Sequence, residues 1–210
     1  MKGEGESSAL SLMRVFTNGP SADIAGGLAG IRGISYRVGP KIFSNGRPQL
    51  IANLDSLPSP ILTDVIPPHA AQSIGVMLNR GCDHFCIYCA FATMNYHRVR
   101  SFSCGRVLGE LEHLCNCRTL DRDLTISFLD DNFLANRDEA FGLCKELTKN
   151  NRGFSYFCQF RSELVTPQVL GLLKAAGFKT VAMGLESTSP RLLGIIKKNG
   201  APVKPARSRW

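Results

Sequence analysis

The sequence of 210 residues lacks any uninterrupted apolar run of about 18 residues, the length that a helix needs to cross a bilayer. It also lacks an export signal, because residues 1–14 mix Glu4 and Glu6 with serines where a basic flank and a long apolar stretch would stand. Internal repeats and low-complexity tracts are absent too. These absences predict a cytoplasmic protein without membrane spans.

The formal net charge of +8 does not predict a nucleic-acid partner. Five of these charges stand near the C-terminus with no acid among them and leave +3 for the rest of the chain: Lys197, Lys198, Lys204, Arg207 and Arg209. A short basic segment of this kind, with two prolines, is typical of a solvated, disordered end. The hydrophobic share of 44% is that of an ordinary folded protein.

Eight cysteines without an export signal favour metal binding over disulfides, since cytosolic thiols are kept reduced. Three of them, Cys82, Cys86 and Cys89, stand within eight residues and follow a predicted strand, from which Gly81 permits a sharp exit. Gaps of three and two residues let the thiolates reach several corners of one iron–sulfur cube. Three ligands would leave one iron open to an outside donor, as catalysis at a metal requires.

A zinc site is the alternative to the cluster. The pair formed by Cys86 and Cys89 has a spacing that is common in zinc and redox sites. Cys115 and Cys144 lie on apolar faces of predicted helices, which favours core positions for both, and His84 is expected to face solvent. Three further cysteines could complete a zinc tetrahedron: Cys104, Cys115 and Cys117.

From residue 74 onward, strand-like apolar runs alternate with amphipathic helical stretches, which predicts an α/β fold with a parallel sheet. The predicted strands are residues 74–79, 124–129, 155–160 and 179–185. Asn136, Thr166 and Ser189 are placed to begin helices, and Gly177 to end one. Four strand–helix units suit a partial barrel or a doubly wound sheet, and in both the chemistry lies at the carboxyl ends of the strands.

Three segments are expected. Residues 1–68 are rich in Gly and Pro and are interpreted as an irregular linker with the remnant of another domain. Residues 69–198 form the α/β core, and residues 199–210 form the basic tail.

The Cys-x-x-x-Cys-x-x-Cys spacing, with Tyr88 just before the last cysteine, resembles the signature of the radical S-adenosylmethionine (SAM) superfamily. A narrower resemblance, to the subgroup with an N-terminal cobalamin-binding domain, runs from about residue 30 to residue 198. The strings that carry it are Asn-Leu-Asp-Ser-Leu-Pro from Asn53, Arg-Gly-Cys from Arg80, Phe-Leu-Asp-Asp-Asn-Phe from Phe128, Arg161, and Gly-Leu-Glu-Ser from Gly184.

This resemblance implies that Cys82, Cys86 and Cys89 bind a 4Fe-4S cluster whose open iron chelates SAM. It places Tyr88 near the adenine, Asp130 or Asp131 at the SAM amino group, Arg161 at its carboxylate and Glu186 at the ribose. Gly184 is also expected among the cofactor-binding residues. The residues alone allow plainer interpretations: an Asp131-Asn132 turn, and ion pairs for Arg161 and Glu186.

Two departures from the family pattern limit the resemblance. The Asp-x-His-x-x-Gly loop of the cobalamin domain does not occur, and His69 does not fit it, so cobalamin binding is not predicted for this chain. Only four of the family's strand–helix units are present, which predicts an incomplete barrel with an exposed edge. A truncated product or a chain that needs a completing subunit is therefore expected.

The activity implied is one-electron reduction of the cluster and cleavage of SAM to methionine and a 5′-deoxyadenosyl radical, leading to methyl transfer or another radical reaction. It would need a reducing donor such as flavodoxin or ferredoxin, and a substrate that the sequence does not identify. The competing hypotheses are an inactive fragment and a zinc or iron–sulfur module without SAM chemistry.

Overall fold

A computed structural model describes residues 3–17, 23–65, 73–117 and 124–198. The chain divides into two compact units, Met1–Ala52 and Asn53–Trp210. Within the described ranges, no helix is both long and apolar enough to cross a membrane. His69 and the basic tail of residues 199–210 lie outside the described residues.

The first unit contains two helices and a β-hairpin. Its elements are α1, Glu6–Thr17; α2, Ile24–Ala29; β1, Ser35–Val38; and β2, Lys41–Ser44. The Asp23 side chain begins α2 by accepting a hydrogen bond of 2.9 Å from the backbone N–H of Gly26. The hairpin strands are antiparallel, and the rings of Tyr36 and Phe43 stack across them. This region is therefore more regular than its Gly and Pro content indicates.

The second unit is built on a parallel sheet of four strands. They are β3, Ser73–Val76; β6, Thr125–Phe128; β7, Ser155–Gln159; and β8, Phe178–Ala182, hydrogen-bonded in that order. Two further strands of two residues each, β4 (Asn79–Arg80) and β5 (Arg100–Ser101), form a separate antiparallel pair. A strand lies at each of the four predicted positions, although β3 and β8 end at Val76 and Ala182, before the predicted ends at residues 79 and 185. Because the four strands are parallel, their carboxyl ends lie at one edge of the sheet.

Helices connect these strands. They are α3, Ala90–Met94; α4, Cys104–Asn116; α5, Arg137–Lys149; α6, Pro167–Ala175; and α7, Pro190–Ile195. Asn136, Thr166 and Ser189 each accept a hydrogen bond from the backbone N–H three residues further on and begin α5, α6 and α7 as predicted. Gly177, with a φ of 94°, follows the end of α6. The helix starts read from the sequence are confirmed.

The core lies on one face of the sheet. Ile126 and Phe128 of β6 are completely buried, and so are Leu111 of α4 and Leu143 of α5. The Phe128 ring centroid is 5.6 Å from that of Phe178 on β8. Burial of each such side chain contributes about 1.5–3 kcal/mol, so this face accounts for much of the stability of the unit.

The opposite face of the sheet is only partly covered. Its side chains on β6 and β7 are half-buried in the described part of the chain: Thr125, Ser127, Ser155 and Phe157. A sheet with helices against one face and a partly open second face is what the interior of an incomplete barrel looks like. The predicted α/β fold with a partial barrel is confirmed.

Candidate active site

The polar residues singled out in the sequence all follow strands of the parallel sheet at its carboxyl edge. The cysteine-containing loop, residues 81–89, follows β3 and β4, and Asp130 and Asp131 follow β6. Arg161 comes two residues after β7, and Glu186 four residues after β8. The fold therefore brings the predicted residues to one edge, the position at which α/β proteins build their sites.

Gly81 is required at the start of the cysteine loop. Its φ is 92°, a conformation that side-chain-bearing residues rarely adopt. A Cβ atom there would overlap the carbonyl oxygen of Arg98 and lie 2.9 Å from Cβ of Asn95. The backbone N–H of Gly81 donates a hydrogen bond of 3.1 Å to Oδ2 of Asp131, which ties the loop to the end of β6.

The three cysteines differ in exposure. Cys82 is buried, whereas Cys86 and Cys89 are half-buried. Burial raises the pKa of the Cys82 thiol, with Asp83 adding to the effect. None of the eight cysteines, all of which lie in the described ranges, forms a disulfide. The three loop thiols can serve as metal ligands, which bind as thiolates and release their protons to solvent when the metal binds.

His84 and Asp83 extend the set of candidate ligands in the loop. One ligand atom each of Cys82, Asp83 and His84 lie within 4.8 Å of one another. The backbone carbonyl of His84 contacts Nδ1 of His97 at 2.8 Å, and the rings of Phe85 and His97 stack with centroids 4.0 Å apart. His84 was expected to face solvent, and the structure places it in a half-buried position. These contacts fix the first half of the loop.

Asp130 is completely buried and supports the backbone before the cysteine loop. Its carboxylate accepts hydrogen bonds from the backbone N–H groups of Leu78, at 3.2 Å, and Asn79. Burial raises the pKa of Asp130 to about 7, although these hydrogen bonds act in the opposite direction. Asp131 is half-buried and has one oxygen engaged by Gly81. Of the two predicted candidates for a ligand amino group, the geometry favours Asp131.

Arg161 is 8% exposed and lies against a cysteine. Its Nη1 donates to Sγ of Cys86 at 3.1 Å, and its Nε donates to Oε1 of Glu163. Nη2 is buried and meets no acceptor among the residues that the structure describes. The plainer expectation for Arg161, an ion pair, is confirmed, whereas its role at the SAM carboxylate stays a prediction.

Glu186 belongs to a network that the sequence analysis does not anticipate. Its Oε1 accepts a hydrogen bond of 3.1 Å from Nζ of Lys198, which is buried, and its carboxylate also accepts from the Tyr88 hydroxyl. The Lys198 hydrogen bond lowers the pKa of Glu186, whereas desolvation followed by the negative charges of Cys86 and Glu186 raises the pKa of Tyr88. A Cβ atom on Gly184 would stand 2.6 Å from Oε1 of Glu186 and 2.7 Å from Nζ of Lys198, so these two flexible side chains would have to shift to admit a larger residue.

Lys198 and Glu163 are site residues that sequence reasoning missed. Lys198 was counted among the basic residues near the C-terminus, but it is 6% exposed and lies beside the cysteine loop. The backbone N–H of Ile87 donates to the carbonyl oxygen of Ile196, which joins that loop to the residue after α7. No periodic pattern could have found these contacts, since they depend on the path of the chain after β8.

Of the other cysteines, Cys104 and Cys115 lie on α4, Cys144 lies on α5 and Cys158 lies on β7, while Cys117 directly follows α4. Cys144 is completely buried, which raises the pKa of its thiol to about 12 and confirms its predicted core position, whereas Cys115 is half-buried and the core position predicted for it is wrong. Cys104, at the start of α4, has Cys144, Glu139 and Glu146 of α5 as neighbours. The Cys115 thiol donates to the carbonyl oxygen of Arg152 at 3.5 Å. These contacts give no support to a zinc site shared with the loop.

A parallel sheet that carries a three-thiol loop at its carboxyl edge defines an α/β domain suited to hold a metal cluster. The family model described as "Radical SAM superfamily" matches residues 76–206. The chain belongs to the radical SAM superfamily. By ancestry it is therefore an enzyme chain.

Two curated relatives are methyl-transferring proteins. An uncharacterized methyltransferase of Pyrococcus horikoshii is 30% identical over 207 residues, which cover 96% of this chain and 43% of that protein. The hopanoid C-2 methylase of Rhodopseudomonas palustris is 24% identical over 129 residues, 59% of this chain and 24% of that protein. The chain spans less than half the length of these curated relatives.

Solved structures of radical SAM enzymes share the fold. The methyltransferase TsrM of Kitasatospora setae, solved with tryptophan and a SAM analogue, has a TM-score of 0.68 at 18% identity over 92% of this chain and 38% of its own. The cobalamin-dependent enzyme OxsB, solved with aqua-cobalamin and SAM, has a TM-score of 0.71 at 20% identity over 95% of this chain and 29% of its own. The sequence-based family assignment is confirmed.

Proposed function

We propose that this chain is the cluster-binding and SAM-binding part of a radical SAM methyltransferase. Cys82, Cys86 and Cys89 would hold three irons of a 4Fe-4S cluster and leave the fourth open to SAM. The observation that carries the proposal is Arg161, whose guanidinium touches Cys86 and keeps a buried donor unpaired within the described chain. Buried donors are rarely left without an acceptor, and a bound carboxylate would supply one.

The other residues of the edge fit the remaining parts of SAM. Asp131 is half-buried beside Gly81 and suits an ammonium group. Glu186 can accept hydrogen bonds from ribose hydroxyls, and Gly184 lies beside its carboxylate. Tyr88, 51% exposed, offers an aromatic face for the adenine. Asp130 is assigned to the backbone support, since its carboxylate is completely buried.

When bound, the cluster supplies the electron that cleaves SAM to methionine and a 5′-deoxyadenosyl radical. The chain's own residues would orient the cofactor at the carboxyl edge of the sheet. A low-potential donor such as flavodoxin or ferredoxin is the expected electron source, and methyl transfer is the proposed reaction because the curated relatives are named for it. No residue is assigned to cobalamin, since the Asp-x-His-x-x-Gly string is absent from the sequence.

The domain limits of 1–68, 69–198 and 199–210 and a cytoplasmic location are part of the same proposal. A completing subunit is also proposed, because the side chains on the inner face of β6 and β7 are only half-buried in the described chain. The substrate would be recognised by such elements.

Anaerobic reconstitution with iron and sulfide tests the cluster. The chain should bind about four irons, and electron paramagnetic resonance of the dithionite-reduced protein should give a cubane signal that changes when SAM is added. Serine variants of Cys82, Cys86 and Cys89 should each lose the cluster. Cys104→Ser is the matched control, because that residue is half-buried on a helix among α5 side chains.

Two results would overturn the proposal. Stoichiometric zinc uptake that depends on Cys82, Asp83 and His84, with no cluster formed, would favour a structural metal site. A cluster whose spectrum ignores SAM would leave an iron–sulfur module without SAM chemistry.

A further inference from the structure

Arg161 has three donor nitrogens in three different environments. Nε is bound to Glu163, Nη1 is 3.1 Å from Sγ of Cys86, and Nη2 is buried without an acceptor in the described ranges. The side chain of Arg161 is 8% exposed and that of Glu163 is 15% exposed, so water screens this group weakly. The guanidinium is thus held in place beside one cysteine.

A positive donor beside a cysteine matters once that cysteine binds iron. Cys86 then carries its sulfur as a thiolate, and a charge-assisted hydrogen bond from Nη1 stabilises negative charge on that sulfur. Reduction adds one negative charge to the cluster, and hydrogen bonds to the cluster sulfurs are among the features that set its potential. The guanidinium should therefore favour the reduced state over the oxidised state.

Glu163 modulates this effect with the opposite sign. Its Oε1 accepts from Nε, and its Oε2 is buried with no donor among the described residues. The carboxylate therefore partly neutralises the guanidinium that faces Cys86. Loss of Glu163 should strengthen the positive field at the sulfur, whereas loss of Arg161 should remove it.

We propose that Arg161 sets the reduction potential of the cluster through its contact with Cys86, and that Glu163 tempers it. The pair acts as a positioning and tuning element, apart from any contact of Nη2 with SAM. The inference rests on the proposed function, since it needs the cluster on Cys86. The step concerned is addition of one electron to the oxidised cluster from dithionite; no bond is formed or broken and no proton is transferred.

The test is a redox titration of the reconstituted full chain with dithionite and mediators, in the absence of SAM, read by the paramagnetic signal of the reduced cluster. For Arg161→Gln we expect the ratio of reduced to oxidised cluster at fixed potential to fall about tenfold, a shift of about 59 mV to lower potential. Arg161→Lys should give a smaller fall, because lysine keeps the charge but not the forked geometry. Glu163→Gln should shift the potential upward.

Opposite signs separate tuning from damage to the fold, which would not raise the potential in one variant and lower it in the other. Arg106→Gln is the matched control, since Arg106 is a weakly exposed arginine paired with Glu110 on α4 and should leave the potential unchanged. Should Arg161→Gln fail to fold, Arg161→Lys and Glu163→Gln carry the test. Equal potentials in a SAM-responsive cluster overturn this inference alone; a wild-type chain that forms no cluster overturns the proposed function with it.

Discussion

Replacement of Gly81 by alanine should disable the cysteine loop before any other part of the second unit. Two costs add at this position. The first is a φ of 92° for a residue with a side chain, about 1–2 kcal/mol. The second is overlap of the new Cβ with the Arg98 carbonyl oxygen, a backbone atom that cannot rotate away, and overpacking of this kind costs about 1–3 kcal/mol. We expect a total loss of about 3 kcal/mol.

Two other glycines separate these costs. Gly153 has a φ of 77° and open space around its Cβ position, so Gly153→Ala should show the backbone strain alone, about 1 kcal/mol. Gly109 lies in α4 with nothing within 4 Å of its Cβ position, and Gly109→Ala should stabilise the unit by about 0.5–1 kcal/mol. Urea unfolding followed by circular dichroism gives all three values.

The amount of iron bound per chain is a second measurement on the same three glycine variants. Gly81→Ala should lower the iron bound per chain even where the protein is still folded, because the N–H of Gly81 anchors the loop to Asp131. Gly153→Ala and Gly109→Ala should bind iron as the wild type does. The reasoning is refuted if Gly81→Ala and Gly153→Ala lose the same unfolding free energy, since the overlap with Arg98 would then cost nothing.

Three further changes test other contacts. Asp130→Asn should destabilise the unit by about 1–3 kcal/mol, because one of two backbone N–H donors would face an amide NH₂. Since the pKa of Asp130 is raised to about 7, the folded wild type binds a proton that the unfolded chain releases between about pH 4 and pH 7. The unfolding free energy of the wild type should therefore fall over this range and that of the variant should not, and equal pH profiles would contradict the prediction. Asn136→Ala should cost about 1 kcal/mol in urea unfolding through the lost α5 cap, and an unchanged midpoint would count against the cap. Lys198→Met should speed amide hydrogen exchange in the cysteine loop, because Glu186 would lose its cation. The control is Lys197→Met at the neighbouring exposed residue, which should leave the exchange unchanged, and equal exchange in the two variants would contradict a role for Lys198 in holding the loop.

The sheet and the helix starts could be predicted because their signals are local. Strands such as Thr125–Phe128 lie in short segments rich in apolar residues, and Thr166 followed by Pro167 is a helix start that needs no tertiary information. The cysteine loop was readable for the same reason, since its spacing lies within eight residues. The hairpin of the first unit was not predicted, because Ser35–Val38 is a largely exposed strand of only four residues, too short for its polar–apolar alternation to outweigh the surrounding Gly and Pro residues.

The partners of the site residues could not be predicted, because each partner comes from a distant part of the chain. Asp130 and Asp131 are adjacent in sequence and equally suited to a ligand, yet one supports the backbone at Leu78 and Asn79 and the other meets Gly81. Which of them turns toward the loop depends on the exit direction of β6. Sequence spacing carries no information about that direction.

These contacts divide the polar groups of the carboxyl edge into those that already have a hydrogen-bond partner within the chain and those that could bind a ligand. Asp130 is hydrogen-bonded to the backbone and Lys198 to Glu186. Neither can change partner without leaving a buried polar group unpaired. Arg161 Nη2, a buried donor with no acceptor in the described chain, and the second carboxylate oxygen of Asp131 remain at the same edge of the sheet. A ligand that carries a carboxylate and an amine on one carbon would meet both demands, which is why an amino-acid-containing cofactor suits this edge better than a simple anion.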